Sequence, residues 1–134
     1  MSYRGSIVVR EGGTTRYFST RAYDSLSYLF LSEQELKKAA ESGCIELRGL
    51  DFAWSETGVL MDADGKQLLY FGGESTWETG FRKVLNAFLG HALWPGWTVR
   101  FCPRHLVDFG KALGMSRMTL LRGLDDKPDL YDLK

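Results

Sequence analysis

Apolar and polar positions change period along the chain, and each change marks an element. Ser6-Ile7-Val8-Val9-Arg10 and Thr15-Arg16-Tyr17-Phe18-Ser19 read as two strands. Glu11-Gly12-Gly13-Thr14 between them reads as a tight turn, because adjacent glycines reach positive φ without a Cβ penalty. From Tyr23 to Leu31 the apolar residues fit neither the strand period nor the helix period. Ser32-Glu33-Gln34-Glu35 has the spacing of a capping box, so a helix should start there, run through Glu41 and stop on a left-handed Gly43. Cys44-Ile45-Glu46-Leu47-Arg48 alternates as a half-buried strand does.

Thr57 to Asp62 and Gln67 to Phe71 form a second pair of strand candidates, joined through Asp62-Ala63-Asp64-Gly65-Lys66 with Asp64-Gly65 at the turn. Both arms are apolar on both faces, which predicts a mid-sheet position with cover on each side. Ser75 or Thr76 can cap the next helix. Its predicted inner stripe is Trp77, Phe81, Val84, Leu85, Phe88, Leu89 and Ala92. Trp94-Pro95-Gly96-Trp97 breaks that helix, and Thr98 to Phe101 is a short strand. Pro103 is placed to open a last helix that ends at Gly114, with Leu106, Phe109 and Leu113 inward and Gly110 on the same face. Residues 123–134, with Asp125-Asp126-Lys127-Pro128, read as a mobile tail or an extended arm. With no internal repeat and no linker, the pattern predicts one α+β domain over 1–134. It has an antiparallel-rich sheet built from hairpins, and about three helices packed against it.

Length and composition fit this picture. A chain of 134 residues with 44% apolar and 13% aromatic residues can hold a core without a metal or a disulfide. Its two cysteines, Cys44 and Cys102, read as buried thiols. The longest apolar runs fall far short of a membrane span, and no basic-then-apolar leader follows Met1, so a cytoplasmic location without membrane attachment is expected.

The formal net charge is zero, but it is segregated: +3 over 1–21, −7 over 22–81, +6 over 82–122 and −2 over 123–134. Either these segments pair with one another after folding, or they give the surface a polarity that a partner reads.

Candidate chemistry is sparse. The two histidines, His91 and His105, are fourteen residues apart, and no CxxC or HxxxH pair accompanies them, so no metal or cofactor is expected. Cys102 and His105 have C-x-x-H spacing across a helix start, which permits a thiol nucleophile; burial of Cys102 after an apolar strand is the simpler reading. Asp62-x-Asp64-Gly65 has the opening of a calcium loop, but Lys66 and Gly73 stand where acidic ligands belong. Gly72-Gly73-Glu74 before a helix lacks the Lys-Ser/Thr of a phosphate loop.

Two clusters invite a binding reading. Glu56, Asp62, Asp64, Glu74 and Glu78 gather in sequence around the central strands, with Trp54 and Trp77 as potential interface anchors. Arg4, Arg10, Arg16 and Arg21 interleave with Tyr3, Tyr17 and Phe18 on the first strand pair, a pattern able to bind single strands. The neutral total and the acidic middle argue against nucleic acid.

The string Trp54-x-Glu56-x-Gly58-Val59-Leu60-x-Asp62-x-Asp64-x-Lys66-x-Leu68-Leu69-x-Phe71-Gly72-Gly73-Glu74 is followed by Arg82, Leu85, Leu89 and Trp94-Pro95-Gly96-Trp97-x-Val99-Arg100. Over about residues 54–113 it resembles a poorly characterised group of small bacterial proteins associated with toxin–immunity loci. Phe101-Cys102 departs from the Trp-Ala-like pair of that group. The resemblance implies an immunity role, in which a cognate toxin domain is bound and occluded.

The reading favoured at this level is therefore a non-catalytic protein-binding domain. It would use Trp54, Glu56, Asp62, Asp64, Glu74, Trp77 and Glu78 against a basic toxin cleft. The alternatives are a small enzyme using the Cys102 thiol or the acidic cluster, and a nucleic-acid module using the Arg-rich strand pair.

Overall fold

A computed structural model describes residues 4–47, 55–72 and 78–114. The elements in chain order are β1 (Arg4–Glu11), β2 (Thr14–Arg21), the four-residue helix α1 (Ala22–Ser25), a 3-10 turn (Leu26–Phe30), α2 (Glu33–Gly43), β3 (Ile45–Leu47), β4 (Thr57–Asp62) and β5 (Gln67–Phe71). They continue with α3 (Thr79–Phe88), a π turn (Leu89–Leu93), β6 (Thr98–Phe101) and α4 (Leu106–Ala112).

The six strands form one sheet in the order β3-β2-β1-β4-β5-β6. Neighbours pair antiparallel at β1·β2, β2·β3 and β4·β5, and parallel at β1·β4 and β5·β6. The protein is thus α+β, but its sheet is mixed, not antiparallel-rich. Two long connections cause the difference. The chain leaves β2, runs through α1, α2 and β3, and returns to lay β4 parallel beside β1. The segment containing α3 then carries it from β5 to a parallel β6, as parallel neighbours require.

The sheet has apolar groups on both sides. On one face Ile7, Val9, Phe18, Val59, Met61, Leu68 and Tyr70 pack with Leu29, Leu36, Ala40, Leu85, Leu89 and Trp94. On the other, Val8, Leu60, Leu69 and Phe71 pack with Cys102 and Phe109. The doubly apolar runs of β4 and β5 follow from this: every residue of β4 is buried, and so are four of the five in β5.

The first turn has Gly12 at φ 62° and Gly13 at φ 78°, so both central residues are left-handed. The second turn departs from expectation. Its left-handed residue is Lys66, at φ 54°, not Gly65. The Asp62 carboxylate accepts the Gly65 N–H at 3.0 Å, which sets the loop locally. Asp64 reaches across to the first turn instead, accepting from Gly12 and Gly13 N–H at 2.8 and 2.9 Å.

The capping box at Ser32 forms as the spacing predicts, with Glu35 reaching back to Ser32. Gly43 does not supply a left-handed stop. It is the last residue of α2, and the extended Cys44 closes the helix by donating to Ala40 O at 3.2 Å. Pro103 does not open α4 directly; Pro103–His105 form a turn, and the helix begins at Leu106. His105 is the N-cap residue, at φ 53° and ψ −121°. Gly114 follows α4 in the left-handed region, and Phe109 and Gly110 are buried beneath it. The side chain of Leu106, the caps Ser75 and Thr76, and the tail 123–134 lie outside the described residues.

The largest correction concerns α3. Leu85 and Leu89 face the core, but Phe81, Val84, Phe88 and Ala92 are exposed. At 100° per residue the apolar positions of this helix span about 140°, more than one packing face can take up. The helix is rotated towards Arg82 and Asn86. Tyr70 donates its hydroxyl to Asn86 Oδ1 at 2.8 Å, and the Arg82 guanidinium lies 4.5 Å from the centre of the Phe101 ring. These polar contacts hold half of the stripe outward.

Candidate functional site

The residues predicted to bind a partner do not form one described cluster. Trp54, Glu74 and Trp77 lie outside the described residues. Glu56 is exposed just before β4, whereas Asp62 ends that strand and Asp64 follows it. Six residues of extended chain separate Glu56 from Asp62 by about 20 Å. Asp62 is 7% exposed and turned into its own loop. The hydrogen bonds from Gly13 and Gly12 hold the Asp64 carboxyl below its usual range. This charge ties two turns together. Glu78 is exposed at the head of α3, where its carbonyl accepts the first helical bond from Arg82 N–H.

The Arg-rich strand pair is also divided. Arg4 and Arg21 pair at one end of the β1·β2 ladder, while Arg10 and Arg16 lie near the other. Strand alternation sends Arg10 and Arg16 to opposite faces. Arg16 is ion-paired to Glu41 and Glu46, and Arg10 donates to Ala112 O at 3.4 Å. The segregated charges of the sequence thus pair partly within the fold, with Lys37–Glu11 as a further case.

Cys102 is 3% exposed, at the end of β6 and against Phe109. Burial, with the negative charge of Asp108 second, pushes its thiol up to about 12. At neutral pH that leaves roughly one thiolate in 100,000, the reverse of what a nucleophile needs. The His105 ring stacks on Phe71 with centroids 5.2 Å apart, and burial holds its pKa below the ordinary value. Cys44 is only half-buried, and its sulfur lies 3.1 Å from the Tyr28 hydroxyl. Alkylation at neutral pH should therefore modify Cys44 well before Cys102, with Cys102 reacting only as fast as the core opens. Mass spectrometry of timed samples checks this, and native Cys102 labelled as fast as free cysteine would restore the nucleophile reading.

Among the described residues, no three His, Cys, Asp or Glu side chains gather to hold a metal ion. No helix among them is long and apolar enough to cross a membrane.

The feature that sequence reasoning assigned to the core is a surface. Phe81, Val84 and Phe88 recur at three- and four-residue spacing on the outer side of α3, at 43%, 71% and 49% exposure. Phe30, at the end of the 3-10 turn, is 50% exposed and extends this surface towards α2; its ring centroid lies 6.4 Å from that of Phe88. Four large apolar side chains thus converge from two elements. The one available signal was the width of the stripe.

The fold and this surface define a small α+β protein with a six-stranded mixed sheet and an apolar outer helix face. No family model matches the sequence, and neither a curated protein nor a solved structure matches it significantly.

Proposed function

We propose that the chain is a non-catalytic protein-binding domain that docks its partner on the outer face of α3, and that it acts as a bacterial immunity protein occluding a toxin. The single observation that carries this reading is the exposed set Phe30, Phe81, Val84 and Phe88. Scattered surface apolar residues need no explanation, but three exposed apolar side chains on one helix face, with the Phe30 ring beside Phe88, mark an interaction surface. Phenylalanine is enriched in interfaces, and a few buried anchors carry most of the binding energy. Glu78, one helical turn before Phe81, and Lys83 supply a charged rim of both signs. The resemblance of residues 54–113 to proteins of toxin–immunity loci supplies the kind of partner, and occlusion requires only complementarity.

Mixing the purified chain with the polypeptide encoded by the adjacent gene should give a complex at micromolar concentration. Val84→Asp should weaken it by about 2 kcal/mol, or roughly 30-fold in Kd, because a charge replaces an anchor at the centre of the patch. The side chain is 71% exposed, so the melting temperature should hold. Absence of a complex would remove the immunity reading. A complex indifferent to Val84→Asp would remove this face as the docking site.

A further inference from the structure

A second feature lies away from the apolar face, on the side of the sheet that α4 covers. Between β6 and α4 there is a cleft of about 440 Å³. Its lining includes Arg100 from β6, Arg104 and the apolar Pro103 from the turn, and Asp108, Lys111 and Ala112 from α4. The one carboxylate in this lining is already occupied. Asp108 Oδ1 accepts from Arg104 Nε at 3.1 Å and lies 2.9 Å from its Nη2, while Oδ2 accepts the Arg104 backbone N–H at 3.0 Å. This network holds Arg104 in place and cancels its charge.

Arg100 and Lys111 remain, one on each wall. Arg100 donates to the neutral Gln67 Oε1 at 3.2 Å, and among the described residues neither cation has a carboxylate partner. A concave site with two uncompensated positive charges concentrates anions. Its volume falls within the range of small-molecule sites, which is larger than a bare ion requires, and Pro103 and Ala112 give an organic body an apolar contact. The forked guanidinium of Arg100 and the point charge of Lys111 are the two donor types used to hold phosphate.

We propose that this cleft binds a small organic phosphate monoester, with the phosphate between Arg100 and Lys111 and the organic body against Pro103 and Ala112. The phosphate dianion matches the two open charges. Inorganic phosphate shares that chemistry but not the body, so the two sources can be separated.

The test titrates phenyl phosphate and inorganic phosphate into the protein at constant ionic strength, following the backbone amide resonances of Arg100, Arg104 and Lys111. Phenyl phosphate should bind saturably and about tenfold tighter than inorganic phosphate. Arg100→Ala and Lys111→Ala should each weaken it about tenfold, while Lys38→Ala, on the distant α2, should leave it unchanged. Both cleft side chains are exposed, so thermal melts should match the parent. Shifts that do not saturate, equal affinity for the two probes, or a well-folded Lys111→Ala that binds like the parent would each overturn the proposal.

Discussion

Trp94→Ala should lower the unfolding free energy by about 4 kcal/mol, the scale for removing a large buried aromatic. Trp94 is 1% exposed, at the junction of the π turn and the loop into β6. Its indole Nε1 donates to Leu29 O at 2.9 Å, and its ring meets Trp97 edge-on at 4.9 Å. The substitution therefore leaves a cavity and also orphans a buried carbonyl, which adds a desolvation cost. For a domain of this size the melting temperature should fall by about 15 °C. Urea denaturation followed by the remaining tryptophans checks the value. A loss below about 1.5 kcal/mol would mean that this side of the core repacks around the gap.

Gly72→Ala should cost about 3 kcal/mol, for two independent reasons. Gly72 follows β5 at φ +94°, where a Cβ is strained in any surroundings. A Cβ there would also lie 2.8 Å from Glu56 O and from Thr57 Cα, and 2.6 Å from Thr57 Cγ2. Backbone atoms at the start of β4 cannot swing aside as a side-chain tip can. Gly96 provides the comparison, since it has φ +85° with nothing within 4 Å of a built Cβ. Gly96→Ala should cost only the strain, about 1 kcal/mol. Chemical denaturation of the two variants side by side separates strain from clash, and equal losses would show that the close approach to β4 is relieved cheaply.

Elements governed by near neighbours along the chain are legible in the sequence. Ser32 and Glu35 define their own cap, because both partners lie within one turn. The runs Thr57–Asp62 and Gln67–Phe71 announce burial on both faces, because apolar residues at every position cannot satisfy a one-sided strand. Local cues fail where a distant group competes. Gly65 permits a left-handed turn, yet Asp62 and the neighbouring turn at Gly12 and Gly13 place that conformation on Lys66. Gly43 permits a helix stop, yet the chain goes straight into β3 because its edge pairs with β2. The candidate site is the least legible part. Phe81, Val84 and Phe88 have the spacing of a core stripe, and periodicity cannot tell a face that meets the sheet from one that meets solvent.

The sequence by itself determined where the six strands and α2 form, that a capping box opens α2, that β4 and β5 lie inside the sheet, and that Cys102 is a core thiol. All of these follow from interactions within a few residues or from apolar content. Only the tertiary structure decided the parallel pairing of β4 with β1 and of β6 with β5, because strand order depends on how connections fold back across many residues. It also decided the outward rotation of α3, through contacts of Arg82 and Asn86 with Phe101 and Tyr70 on other strands. The apolar face and the cationic cleft exist because separate segments meet, and periodicity within one segment carries no record of that meeting.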